Sequence, residues 1–291
     1  MKKIIVLVIL LALNNFAFGQ LSQVRSSIEK IVADKELELG FALYDFSTGD
    51  TLSINGEKRF PMQSVFKFPI ALAMLHEVDN KKFDLEQKIY LGKEDLRPGL
   101  WSPIEKQYPG GEVFLPLSEI LKQTVSLSDN VGCDLLLKLM GGPLVVNDYI
   151  HGKGIADIRI QNNEQEIQSS WNVQFDNWIT PDAMIRLLMQ FNAKKLLLPE
   201  SHSFLWKIMA ETSTGSIKNK LPQNIVVVHK TGHSGYNEKK ISAATNDVGI
   251  MVAPNGKRLA FAIFVADSKE LQEVNANVIA DIAVVLLQAL Q

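Results

Sequence analysis

Strand-forming residues lie at the two ends of this chain, and that placement restricts its fold more than any other feature. Near the N-terminus, Leu39-Gly40-Phe41-Ala42-Leu43-Tyr44 and Thr51-Leu52-Ser53-Ile54 flank the turn Ser47-Thr48-Gly49-Asp50, which reads as an antiparallel pair. Near the C-terminus, Asn224–Lys230, Ala243–Val252 and Arg258–Val265 are β-rich and are separated by Gly-containing turns such as Pro254-Asn255-Gly256. Between these ends strand signals disappear for about 140 residues, judged by hydrophobic period. Helical spacing marks Leu117–Thr124, Val131–Met140, Pro143–Ile150, Pro181–Phe191 and Ser201–Met209 instead. Ser118, Asn130 and Thr180 suit helix starts, and Gly141-Gly142-Pro143 ends one helix and begins another. Helices are also predicted from Leu21 to Ala33 and over Val274–Leu290, the latter long enough to cover a sheet face.

Strands and terminal helices from both ends thus enclose a helical insertion. The expected class is α/β of the α+β kind, with a five-stranded antiparallel sheet flanked by helices plus an all-helical domain. Residues 20–60 and 211–291 would form the sheet domain and residues 61–210 the helical one, with the active site in the crevice between them.

The stretch Phe60-Pro61-Met62-Gln63-Ser64-Val65-Phe66-Lys67-Phe68 reads as a strand end, a turn and the start of a helix that continues through Leu75. Ser64 and Lys67 are three residues apart and share a helix face. A serine hydroxyl is a poor nucleophile without a neighbouring base. A lysine in an apolar setting (Val65, Phe66, Phe68) gives up its proton more readily than a solvated one. Pro69 lacks the donor that would bond the Val65 carbonyl, which predicts a loosened first turn.

The 46% apolar and 21% charged composition is that of a soluble globular protein, and 291 residues allow one large domain or two intimate ones. A formal net charge of −2 suggests neither nucleic acid nor an anionic membrane as partner. Lys2-Lys3, the apolar run Ile4 to Leu13 and Ala17-Phe18-Gly19 form a secretory signal, residues 1–19, cut between Gly19 and Gln20. The run falls short of the ~18–20 residues a membrane anchor needs. With Cys133 as the single cysteine no intramolecular disulfide can form, and its apolar neighbours make it a buried small hydrophobe. The five histidines show no metal-binding spacing, so no metal or other cofactor is expected.

Two further motifs follow Ser64-x-x-Lys67. Ser128-Asp129-Asn130 precedes the Val131–Met140 helix and taken alone is an N-cap. Lys230-Thr231-Gly232 ends a hydrophobic strand and taken alone is a strand-terminal turn. The three in this order resemble the signature of class A serine β-lactamases and penicillin-binding proteins. From residue 21 to the C-terminus the chain is similar to a class A β-lactamase. A loop of the form Glu-x-x-Leu-Asn separates that family from the penicillin-binding D-alanyl-D-alanine carboxypeptidases, the alternative reading. Asn163-Glu164-Gln165-Glu166-Ile167-Gln168 offers two glutamates for it, and Glu164, with Ile167 three positions on, fits the pattern where Glu166 does not. The run Trp171 to Trp178 resembles the cephalosporinase and extended-spectrum branch and selects the same register.

The resemblance implies a secreted, periplasmic, monomeric enzyme that hydrolyses β-lactam antibiotics, cephalosporins and penicillins among them. Ser64 would attack the lactam carbonyl, with Lys67, or Glu164 through a water, as the base. Glu164 would activate the deacylating water. Ser128 would relay a proton to the lactam nitrogen, and Asn130 would bond the substrate's acylamide group. Lys230 and Thr231, helped by Ser234, would hold its carboxylate, and the N–H groups of Ser64 and of His233, after Gly232, would form an oxyanion hole. Three residues depart from the family pattern: Gln168 replaces the usual Asn, His233 a small residue, and Lys218, in Thr214-Gly215-Ser216-Ile217-Lys218, an arginine whose bidentate fork it lacks. Trp101 is either an aromatic wall of the pocket or a packing residue.

Overall fold

The structure, a computed structural model, describes residues 21–290, so the signal segment and its cut site lie outside the described residues. Residues 21–32 form α1. The chain continues through β1 (Glu38–Asp45), β2 (Thr51–Ile54), β3 (Phe60–Pro61), a 3-10 turn over Gln63–Phe66, α2 (Lys67–Asp79) and β4 (Lys88–Leu91). Then come α3 (Pro103–Gln107), β5 (Val113–Pro116), α4 (Leu117–Ser126), α5 (Asn130–Met140), α6 (Pro143–Gly152), β6 (Ile158–Arg159) and α7 (Glu164–Ile167). It closes with β7 (Trp178–Ile179), α8 (Pro181–Asn192), α9 (Pro199–Ala210), β8 (Val226–His233), β9 (Thr245–Val252), β10 (Arg258–Ala266) and α10 (Gln272–Ala289).

The two ends of the chain pair as expected. The main sheet has five antiparallel strands in the order β2-β1-β10-β9-β8, and β1 joins β10 with Phe41 opposite Ile263. Side chains alternate across each strand. Phe41, Leu43, Phe261, Ile263 and Val265 face Val278, Ile279 and Ile282 of α10. Ala42, Ala260, Ala262, Phe264 and Val248 face the core formed with the helical middle. Each large side chain buried in these two layers contributes about 1.5–3 kcal/mol.

The middle of the chain differs from expectation in one respect. It carries short strands: β4 pairs with β5, and β7 lies between β3 and β6 in a second small sheet. These strands have two to four residues, too few to establish a period of two in the sequence. The start of α2 also departs from a regular helix, since the residues carrying Ser64 form a 3-10 turn and the α-helix begins only at Lys67. Pro69 removes the amide that would extend the α-helix back by one bond, in keeping with a loosened first turn.

Candidate active site

Ser64 sits on a turn held from several sides. Gln63, just before it, has φ 47°, a left-handed conformation costing on the order of 1–3 kcal/mol for a side chain like this. The cost is offset by contacts: Gln63 Nε2 donates to Gln174 Oε1 at 2.6 Å, and Met62 N–H donates to the Asn177 carbonyl at 2.9 Å. From β9, Asn246 Nδ2 donates to the carbonyls of Pro61 at 2.8 Å and Met62 at 3.2 Å, tying the sheet to this turn. Asn246→Ala should therefore lower kcat/KM about tenfold or more by loosening the turn. It should also cost about 1–3 kcal/mol of stability by leaving buried carbonyls without a donor. Steady-state kinetics and thermal melts check both, and a variant unchanged in either would deny the tie its importance.

Lys67 is fully buried and is the hub of the site. Its Nζ lies 2.8 Å from Ser64 Oγ, 2.7 Å from Glu164 Oε1, 2.5 Å from Asn130 Oδ1 and 2.9 Å from the Ser128 carbonyl. An ammonium has three protons for these four acceptors. A neutral amine instead offers a lone pair that can accept the Ser64 proton. Ser64 Oγ is also 3.4 Å from Glu164 Oε1, so both candidate bases are near the same hydroxyl.

The Ser128-Asp129-Asn130 turn is built by Asp129, not by all three residues equally. Asp129 is the N-cap of α5: its Oδ1 accepts from Gly132 N–H at 2.7 Å. Its Oδ2 accepts from the Ser102 hydroxyl at 2.8 Å and Ile104 N–H at 2.7 Å, fastening the loop that carries Trp101. Burial raises the Asp129 carboxyl above its ordinary value against these hydrogen bonds. The cap leaves Ser128 at φ 61°. Lys230 Nζ donates to Ser128 Oγ at 2.9 Å and to the Thr231 carbonyl at 3.0 Å. Burial first, and then the charge of Lys67, push the Lys230 ammonium down to about 7.

The two loop glutamates have separate positions. Glu166 is exposed, and its carboxylate accepts from Asn163 N–H while Asn163 caps the Glu166 amide, a reciprocal capping box. Glu164 is 2% exposed and points to Lys67. Asp134 of α5 sets this orientation by accepting from Glu164 N–H at 2.7 Å and Gln165 N–H at 3.1 Å. Burial pushes its carboxyl up to about 6. Sequence reasoning missed Asp134, because in sequence it is one more polar residue on an apolar helix.

A cleft of about 640 Å³ opens over Ser64, a size suited to a drug-sized molecule. Ser128, Asn130, Glu164, Gln168, Thr214, Thr231, Gly232, His233, Ser234 and Trp101 line it, together with Gln63, Ser216, Asn219 and Gln272, which the sequence did not single out. Trp101 is 53% exposed and both walls the cleft and packs: its Nε1 donates to the Leu127 carbonyl at 2.9 Å, and Lys106 lies over its ring at 4.0 Å. Thr231 and Thr214 hydroxyls are 2.7 Å apart. Ser234 Oγ accepts from Ala243 and Ala244 N–H, so it also braces the turn after β8. Lys218 is not among the cleft-lining residues. Its Nζ donates to the carbonyls of Ala210, the last residue of α9, and Thr212, just beyond it, at 3.1 and 2.8 Å, and burial lowers its ammonium. A lysine here satisfies helix-end carbonyls instead of reaching the cleft.

β8 is an edge strand. Ser234 N–H bonds the Ala244 carbonyl, so in the alternating antiparallel pattern the His233 amide points away from β9, off the sheet edge. Gly232 permits close approach at that edge: a Cβ there would lie 2.5 Å from the Met62 carbonyl oxygen.

A serine-bearing turn against a sheet edge, a buried lysine and carboxylate beside the hydroxyl, and an open cleft above are the parts of a serine acyl-transfer hydrolase. The family model of the Beta-lactamase enzyme family matches residues 23–290, and the chain belongs to that family. It is a class A β-lactamase, a hydrolase that opens β-lactam rings and confers antibiotic resistance. It is 46% identical to beta-lactamase VEB-1 of Pseudomonas aeruginosa over 272 residues, 92% of this chain and 90% of the relative. It is 41% identical to the extended-spectrum beta-lactamase PER-1 of the same organism, over 89% of this chain and 84% of the relative. Among solved structures, the TLA-3 extended-spectrum beta-lactamase superposes with a TM-score of 0.91 at 42% identity, covering 93% of this chain and 99% of that one.

Proposed function

We propose that this enzyme is an exported, monomeric β-lactamase acting on cephalosporins and penicillins, with oximino-cephalosporins within its range. Ser64 is acylated and Glu164 activates the water that releases the product. Lys67 or Glu164 takes the Ser64 proton, Ser128 passes one to the lactam nitrogen, and Asn130 engages the acylamide side chain. Lys230 and Thr231, helped by Ser234, hold the substrate carboxylate with Thr214 beside them, and the Ser64 and His233 amides receive the developing oxyanion. Gln168 and Trp101 border the acyl side of the cleft. Residues 20–60 with 211–291, and residues 61–210, act as two lobes with the reaction between them. The observation that carries this reading is the position of Lys67 Nζ, 2.8 Å from Ser64 Oγ and 2.7 Å from Glu164 Oε1. The range is supported by identity to the extended-spectrum beta-lactamases PER-1 and TLA-3 across most of the chain.

The test is a panel of kcat/KM values over penicillins, early cephalosporins and oximino-cephalosporins, with mass spectrometry of the reacting enzyme. Multiple turnovers on the cephalosporins and a transient adduct on Ser64 are expected. Turnover confined to penicillins would remove the range, and full activity in Ser64→Ala would remove the nucleophile. Export is checked by the mass of the periplasmic protein, which should begin at Gln20.

A further inference from the structure

Two buried lysines meet at Ser128: Lys67 bonds its carbonyl and Lys230 its hydroxyl. Lys67 has Glu164 at 2.7 Å as counter-charge. Among the described residues no carboxylate lies within ion-pair distance of Lys230. The charged and titratable groups that act on it are Lys67 from α2, Asp247 from β9, Glu164 from α7 and Cys133 from α5. Asp247 is opposite Thr231 in the register, so it is on the reverse face of the sheet from Lys230.

Asp247 is 1% exposed; burial raises its carboxyl above the ordinary value, and the charge and hydrogen bond of His229, then the charges of Lys230 and Lys218, act against burial to keep it ionised. Its Oδ1 lies 2.7 Å from His229 Nδ1, while its Oδ2 and His229 Nε2 are both buried without a partner. Burying a carboxylate with one oxygen unpartnered is costly. A neutral imidazole protonated on Nδ1 meets this geometry. A second proton on Nε2 would be a buried donor with no acceptor. In that state the pair carries one negative charge directly behind the strand from which Lys230 projects.

We propose that His229 and Asp247 are positioning residues for Lys230: they place a fixed negative charge behind β8 that keeps the Lys230 ammonium protonated for Ser128 and the substrate carboxylate. This rests on the reading of Lys230 as the carboxylate's holder. Burial and Lys67 drive the ammonium toward neutrality, and Asp247 opposes them. Removing the Asp247 charge lowers the pH at which Lys230 loses its proton. A lysine neutral at working pH holds an anionic substrate less well, so the loss is in KM.

The experiment is the pH profile of kcat/KM for hydrolysis of a chromogenic cephalosporin. Asp247→Asn should move the alkaline limb to lower pH by about one unit or more, with the change in KM, and retain activity on the acid side. A limb in the wild-type position, or one equal loss at every pH, overturns the proposal and leaves the β-lactamase reading intact. Lys230→Arg should abolish that limb, because guanidinium does not titrate there. A limb that survives this change does not belong to Lys230 and also overturns it. Should Asp247→Asn not fold, His229→Gln and His229→Leu replace it. Glutamine keeps a donor to Asp247 and should keep the limb, whereas leucine should move it to lower pH, and equal limbs overturn the proposal. An enzyme without any hydrolysis before mutation would fail the reading of the site itself.

Discussion

Glu164→Gln is expected to yield an enzyme that acylates and then stays acylated. The carboxylate is buried, 2.7 Å from Lys67 Nζ and 3.4 Å from Ser64 Oγ. Glutamine keeps its volume and can still accept a hydrogen bond, but it cannot take a proton from water. Positioned proton transfer contributes ~10²–10⁴-fold, and deacylation should slow by about that factor. In the proposed mechanism acylation has Lys67 as a second route and should slow less. Rapid-quench mass spectrometry should then find a Ser64 adduct persisting after excess drug is removed. Steady turnover at the wild-type rate would mean that another group activates the water.

The second large effect is expected from one added methyl group. In Gly232→Ala the new Cβ would meet the Met62 carbonyl oxygen at 2.5 Å, Gln63 Cβ at 3.1 Å and Val65 Cγ2 at 3.3 Å. The first distance is to backbone, which cannot swing aside as a side-chain end can. β8 must therefore part from the Ser64 turn, carrying the His233 amide and Lys230 with it. A displacement on the order of 1 Å in such a site costs ~10²-fold in rate, and kcat/KM should fall accordingly. Melting temperature should fall only modestly, since the large apolar layers on both faces of the sheet are untouched. Wild-type kinetics in this variant would show that the edge contact tolerates more separation than its geometry suggests.

Local pattern shows its reach and its limit at individual residues. Ser64 and Lys67 were legible because both lie within one turn of chain, where spacing alone puts them on one face. Glu164 was separable from Glu166 by register, and in the structure the physical difference is that Glu166 closes a capping box with Asn163 while Glu164 turns inward. The sequence marks Lys218 only as a lysine where the family has an arginine, and nothing local reveals that Ala210, at the end of α9, and Thr212, just beyond it, present their carbonyls to it. Asp134 and Asn246 escaped notice for the same reason. Their partners are backbone groups 30–31 and 184–185 residues away, which no periodicity encodes.

From sequence alone come the placement of the main-sheet strands at the chain ends, the five-stranded sheet this implies, and the order of the polar motifs. Each follows from side-chain period and backbone preference over a few residues. Tertiary structure alone decided which polar atoms meet: four acceptors around Lys67, a carboxylate behind Lys230, and a strand edge close enough to a carbonyl to demand glycine. Such contacts depend on how separate elements pack, and packing is set by the whole core and not by any local stretch of chain.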